Sequence, residues 1–137
     1  MLEQKERYTL GKTERLKSRK VIDQLFKKGK SFSIFPFRVV WQHQQDCTEV
    51  LQAGFTVSTK YFKKAVDRNR IRRLMKEAYR LQKNKLQQGL QDQNKPLAIF
   101  LIYVGKELPL YQLISTKMVL VIEKLQKLVN ENLAKTS

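Results

Sequence analysis

Cysteine, histidine and acid are the scarce residues of this sequence. A single cysteine, Cys47, rules out an intrachain disulfide, and with one histidine, His43, the usual Cys/His zinc spacings cannot be assembled. Both residues lack a motif around them and read as incidental surface. The 12 acidic residues are scattered, and no carboxylate cluster stands where a protein would hold magnesium for itself. A protein nuclease, which needs a general base and metal ligands, is thereby disfavoured. Met1 to Arg19 holds no apolar run of the kind found in signal peptides or membrane spans, so a cytoplasmic protein without a membrane partner is expected. Neither a low-complexity tract nor an internal repeat occurs.

What the chain has in excess is positive charge. Its 28 lysines and arginines give a formal net charge of +16 and a pI near 10.1, a field that draws in nucleic acid or an anionic membrane. The excess is uneven. Residues 60–85 carry eleven cations against two acids and residues 1–30 carry ten against four, while the rest is nearly neutral. Two blocks suggest one composite binding surface. The 137 residues, 42% apolar, can bury one core, so residues 1–137 are expected to form a single domain with flexible ends at 1–15 and 134–137.

Local patterns predict the frame for those blocks. Ser18 caps a helix over 19–28 that places Val21, Ile22, Leu25 and Phe26 on one face and stops at Gly29. Residues 34–43 and 50–58 read as strands, Pro36 breaking or bulging the first so that an extra strand can be counted there. In the second, Leu51, Ala53, Phe55 and Val57 alternate with Gln52, Gly54, Thr56 and Ser58. A basic helix follows over roughly 65–86, closed by a polar stretch with Gly89 and Pro96. The unalternating run at 97–104 belongs in mid-sheet. Pro109 then opens an amphipathic helix to about Leu133, burying Leu110, Leu113, Ile114, Val121, Ile122, Leu125, Leu128 and Val129. The order α-β-β(-β)-α-β-α describes an α+β fold, a two-layer α/β sandwich.

On a helical wheel the basic helix divides cleanly. Ile71, Leu74, Met75, Ala78 and Leu81 face the sheet. Arg68, Asn69, Arg72, Arg73, Lys76, Arg80 and Lys83 fall on the opposite arc, with Tyr79 at the boundary, its hydroxyl reaching solvent or a phosphate, and Arg70 on the far flank near Glu77. A merely solvated face would alternate Glu with Lys at i, i+4. Here only Glu77 does so, and arginine outnumbers lysine five to two, which suits bidentate grip on phosphate.

These residues carry a resemblance. "AVDRNRIRRLMKEAYR" is similar to the RNR signature of the protein subunit of bacterial ribonuclease P, and "AGFTVSTKYFKKAV" resembles that family's preceding strand and lysines. "ERLKSRKVIDQLFKKGKSF" resembles its opening helix. The three matches stand in the family's order and cover residues 14–86. The resemblance implies a left-handed β-α-β crossover through the RNR helix, against the general rule. It also implies a noncatalytic subunit that binds the ribonuclease P catalytic RNA and the 5′ leader of precursor tRNA. The RNA performs the leader-removing cleavage with its own magnesium, so the protein carries no catalytic or metal-binding residue, binds no cofactor alone and needs no obligate protein partner. By position, Lys60, Lys64, Arg68, Asn69, Arg70, Arg72, Arg73, Lys76 and Arg80 would meet the catalytic RNA. Phe26 would line the leader cleft with Ile22, Lys17, Thr56 and Ser58. The family usually has an aromatic where Ile22 stands, and either Val40 or Trp41 occupies the position of a common first-strand tyrosine. On the residues alone Phe26 reads as core, and a ribosomal-protein-like RNA-binding or assembly module is the alternative function.

Overall fold

Ser18 begins the first helix as its spacing predicts. In the computed structural model, which describes residues 14–44, 49–93 and 95–136, its hydroxyl accepts the Val21 amide at 3.3 Å and starts α1 (Arg19–Lys28). Lys27 and Lys28 sit in the last turn, where the helix dipole favours cations. Gly29 closes it by donating to the Leu25 carbonyl at 2.8 Å.

The expected strand over 34–43 is a hairpin. β1 (Lys30–Ile34) and β2 (Phe37–His43) pair antiparallel around Phe35 and Pro36, which are joined by a cis peptide bond. Proline cannot donate to a ladder, so the chain turns there. β3 (Leu51–Val57) and β4 (Leu97–Tyr103) complete a sheet of order β1-β2-β4-β3, with β4 antiparallel to β2 and parallel to β3. The apolar run at 97–104 thus lies mid-sheet, covered on both faces. Its parallel neighbour is reached through α2 (Ala65–Gln93), a β-α-β crossover, and α3 (Tyr111–Thr136) ends the described chain.

Alternation divides the buried strand residues between two cores. Phe37, Val39, Trp41, Ala53, Ile99 and Leu101 face α2 and α3, meeting Ile71, Met75, Met118 and Ile122. Val40 and Ala98 face the other way and pack on Leu16 and Leu25, with Val21, Ile22, Phe100 and Ile102 around them. The α/β sandwich is therefore formed by the sheet with α2 and α3, while α1 lies across the opposite face. Each fully buried Leu, Ile or Phe contributes about 1.5–3 kcal/mol of transfer free energy.

Four expectations are corrected. α2 runs past Gly89 to Gln93, because Leu86 and Leu90 are buried and that burial outweighs the roughly 1 kcal/mol a mid-helix glycine costs. α3 begins after Pro109 rather than on it and runs on to Thr136, so Leu110 stays 77% exposed and Leu113 is exposed too, while Met118 takes a core place. Leu81, placed on the sheet side by the wheel, is exposed, and Tyr79, placed at the boundary, is fully buried, its ring edge-to-face with Phe55 at 5.4 Å. At 1% exposure Tyr79 meets neither solvent nor phosphate, and that burial pushes its hydroxyl's pKa far above the usual range. His43, read as incidental surface, is half-buried and bonds through Nδ1 to the Pro96 carbonyl at 3.3 Å. Cys47 lies outside the described residues.

Candidate nucleic-acid interface

The two basic blocks are 30 residues apart in sequence at their nearest, yet the fold joins them. The strand order leaves β3 at an edge of the sheet, and the segment before α1 runs along that free edge: the Leu16 amide donates to the Ala53 carbonyl at 2.9 Å and Arg15 pairs beside Ala53. Glu14 anchors the segment to α2, accepting from Lys83 Nζ and, at 2.8 Å, from Gln87 Nε2. Lys83, placed by the wheel on the charged face, is only 1% exposed and belongs to this anchor instead. A buried ammonium must be paired, and Glu14 supplies the partner.

The result is a shared field. Lys76 on α2 has its pKa lowered first by burial and then by Arg15, Arg72 and Lys17. Charges from both blocks therefore converge on one place. Such mutual repulsion costs the free protein stability and is relieved by an anion.

Around this point the helix sets its cations differently. Arg68 turns back to donate to the carbonyls of Phe62 at 3.0 Å and Lys63 at 2.8 Å, so it fixes the turn before α2. Arg72 donates to the Asn69 side-chain oxygen, which aims both groups on the exposed face. Arg80 forks onto Glu77 at 3.1 and 2.6 Å, an arrangement that raises the guanidinium's pKa and lowers the carboxyl's. Lys60, Lys64, Arg70, Arg73 and Lys76 are exposed. Of the nine residues expected to meet RNA, Arg68, Asn69, Arg72 and Arg80 thus make intrachain side-chain bonds as well.

A second feature lies where α1 crosses the sheet. Phe26 is 49% exposed and leans on Phe100, ring centres 5.3 Å apart at 55°. Phe26 is therefore neither plain core nor free. Gly54 stands opposite Phe100 in the ladder, and a Cβ there would meet the Phe100 ring at 3.3 Å, so the glycine leaves that ring its place. Ile22 is half-buried against the apolar cluster under α1, Lys17 is exposed just before the helix, and Thr56, opposite Ile102, shares the cleft face. Ser58 follows the strand and accepts the Lys60 amide at 3.3 Å. Register decides the open question: Val40 faces the cleft and Trp41 the α2/α3 core.

Two cleft residues escaped sequence reasoning. Arg38 is exposed opposite Ile102 on the α1 face, and as the lone cation of its strand it was findable by alternation once Pro36 had fixed the strand's start. Phe100 lies in a run without alternation, so nothing in the sequence marked its face.

Among the described residues no three His, Cys, Asp or Glu side chains converge to hold a metal. No described helix is long and apolar enough to cross a membrane.

Known proteins match this arrangement over most of its length. A family model for ribonuclease P matches residues 10–126. A ribonuclease P protein component of Porphyromonas gingivalis is 36% identical over 115 residues, 81% of this chain and 82% of the relative, and one from Chlorobaculum tepidum is 35% identical over 94 residues, 66% and 61% of the two chains. Among solved structures, the RNase P protein of Staphylococcus aureus superposes with a TM-score of 0.65 at 23% identity, covering 82% of this chain and 96% of its own. That of Thermotoga maritima gives 0.61 at 23% identity, covering 81% and 96%. The sequence relationship, supported by the shared fold, means that this chain belongs to the family of ribonuclease P protein components, subunits of the endoribonuclease that processes the 5′ ends of tRNAs.

Proposed function

We propose that this subunit contributes binding and no chemistry. The exposed face of α2, with Lys60, Lys64, Asn69, Arg70, Arg72, Arg73 and Lys76, holds the catalytic RNA, and Arg15 and Lys17 extend that surface. The cleft between α1 and the sheet, with Phe26, Phe100, Ile22, Thr56 and Arg38, receives the single-stranded 5′ leader of precursor tRNA, where an aromatic ring can stack on a base of any identity. Magnesium belongs to the RNA and supplies the activation of water and the stabilisation of developing charge. The protein's cations lower the repulsion between two polyanions. Its place of action is the cytoplasm, and its partners are the catalytic RNA and precursor tRNA.

The observation that carries this reading is that Glu14 accepts from Lys83 and Gln87 of α2 and so sets the Arg15–Lys17 segment beside that helix's cations, while Phe26 stays half-exposed on Phe100. Copurifying the chain and sequencing the RNA bound to it tests the proposal. One dominant RNA of catalytic type is expected. Ribosomal RNA as the main species would favour an assembly module instead.

A further inference from the structure

The loops at the far end of β4 build a second concavity that the α2 face and the leader cleft do not use. Its volume is about 530 Å³, within the roughly 300–1,000 Å³ of small-molecule sites. Phe35, Leu108, Leu110 and Leu113 line it with Tyr103, and Lys106 stands at its rim. Phe35 is 68% and Leu110 77% exposed, so large apolar side chains meet water there.

The walls are held in place. The Val104 amide donates to the Pro36 carbonyl at 2.8 Å, tying the β4 end to the hairpin turn. The Tyr103 hydroxyl donates to the Glu107 carbonyl at 2.7 Å and so ties the loop to the strand. A Cβ on Gly105 would lie 2.5 Å from that hydroxyl, so only glycine fits beneath it. A preformed concavity costs its occupant little ordering.

Lys106 also reaches out of the groove. Its ammonium lies 5.6 Å from the centre of the Tyr61 ring, and the Lys60 ammonium lies 5.4 Å from the same centre. Each gains from the ring's negative face, but the two repel each other. An anion placed beside Tyr61 relieves that repulsion. Tyr61 is 39% exposed and belongs to the turn that Arg68 fixes at the start of α2, so this spot continues the basic face.

We propose that the groove and its rim form a further nucleotide site adjoining the basic face, in which Lys60, at the edge of that face, and Lys106 grip a backbone phosphate beside Tyr61 and an unpaired base enters the apolar groove of Phe35, Leu108 and Leu110. The occupant is single-stranded RNA because Lys60 and Lys106 outnumber the lining's one acid, Glu107, and the chain carries +16 overall, which repels a second copy. The proposal rests on the reading of the chain as an RNA-binding subunit.

The test uses the full chain with p-benzoylphenylalanine in place of Leu110, bound to a transcript of the cognate ribonuclease P RNA with precursor tRNA, irradiated and mapped by primer-extension stops. A crosslink at one unpaired nucleotide is expected, and Phe35→Ala and Lys106→Gln should each weaken binding of that RNA about five- to tenfold, the lower part of the range for a lost base stack or phosphate contact. Thermal melts of both variants should match the wild type, since the altered side chains are exposed. Failure of the unmodified chain to bind the transcript would overturn the RNA-subunit reading itself. Normal binding without an RNA crosslink, with a crosslink joining two protein copies, or with both variants at wild-type affinity would overturn the groove proposal alone.

Discussion

Lys83 of α2 and Glu14 of the segment before α1 form a buried ion pair across 69 positions of sequence, and with it the fold fixes one basic block against the other. Removing one partner strands the other in a poorly solvated place. Lys83→Met is expected to cost about 3 kcal/mol, the low end for a broken buried pair because Glu14 keeps some solvent access. Replacing both, as Glu14→Leu with Lys83→Met, should recover most of that loss, and urea unfolding of the two variants measures the difference. Equal losses in both would mean that the pair contributes no specific anchoring.

Lys76 sets a pH dependence for RNA binding. Burial and then Arg15, Arg72 and Lys17 hold its pKa below 10.5 in the free protein. Phosphate nearby favours the charged form and raises the pKa, so binding takes up a proton in the alkaline window between the free and bound values. Affinity should therefore fall as pH rises through that window, and less so in Lys76→Arg, whose guanidinium stays charged. Because RNA bases titrate in alkali too, the comparison between the two proteins is the readout. Identical pH profiles would remove Lys76 from the interface.

Phe26→Ala should weaken binding of precursor tRNA about fivefold or more while sparing mature tRNA, since only the precursor offers a leader base to stack. The half-exposed ring leaning on Phe100 makes the stability cost about 1–2 kcal/mol, below the roughly 3–5 kcal/mol of a fully buried Phe→Ala. Equal loss for both tRNAs in a folded variant would return Phe26 to a packing role.

His43 predicts an acid limb of stability. Its pKa is lowered chiefly by burial, against the opposing effect of its bond to the Pro96 carbonyl, with Lys95 and Lys30 adding repulsion. A folded-state value below 6.5 means that the neutral ring's contribution is present above pH 6.5 and is lost as pH falls through the folded value. Melting temperature should drop more steeply below pH 6.5 in the wild type than in His43→Asn. Parallel curves would show that the ring titrates alike in both states.

The sequence was most legible where a local rule acts alone. Ser18 and Gly29 mark both ends of α1, and Pro36 marks the hairpin turn. The apolar run of β4 also foretold a strand covered on both faces. Helix limits failed where tertiary packing decides, as when Leu86 and Leu90 carry α2 past Gly89. The wheel treated α2 as facing the sheet alone, but α3 and the Glu14 segment also cover it. Tyr79 and Lys83 are therefore inside. In the site, the joining of Arg15 and Lys17 to α2 depends on a strand-edge pairing with Ala53 that no periodicity reveals. Arg38 and Phe100 likewise needed the register of β2 and β4.

The most direct test of the account compares cleavage of precursor tRNA by purified, nuclease-treated protein with cleavage after adding the cognate catalytic RNA. Hydrolysing a phosphodiester needs a positioned nucleophile and stabilised charge, usually through paired magnesium ions, and the described residues offer no cluster to hold them. Protein alone should give no cut across the magnesium range. Adding the RNA should give a single cut at the leader junction, with the protein's benefit largest at low magnesium, where its cations do the screening that excess magnesium otherwise does. That same single cut by RNA-free protein would contradict the account.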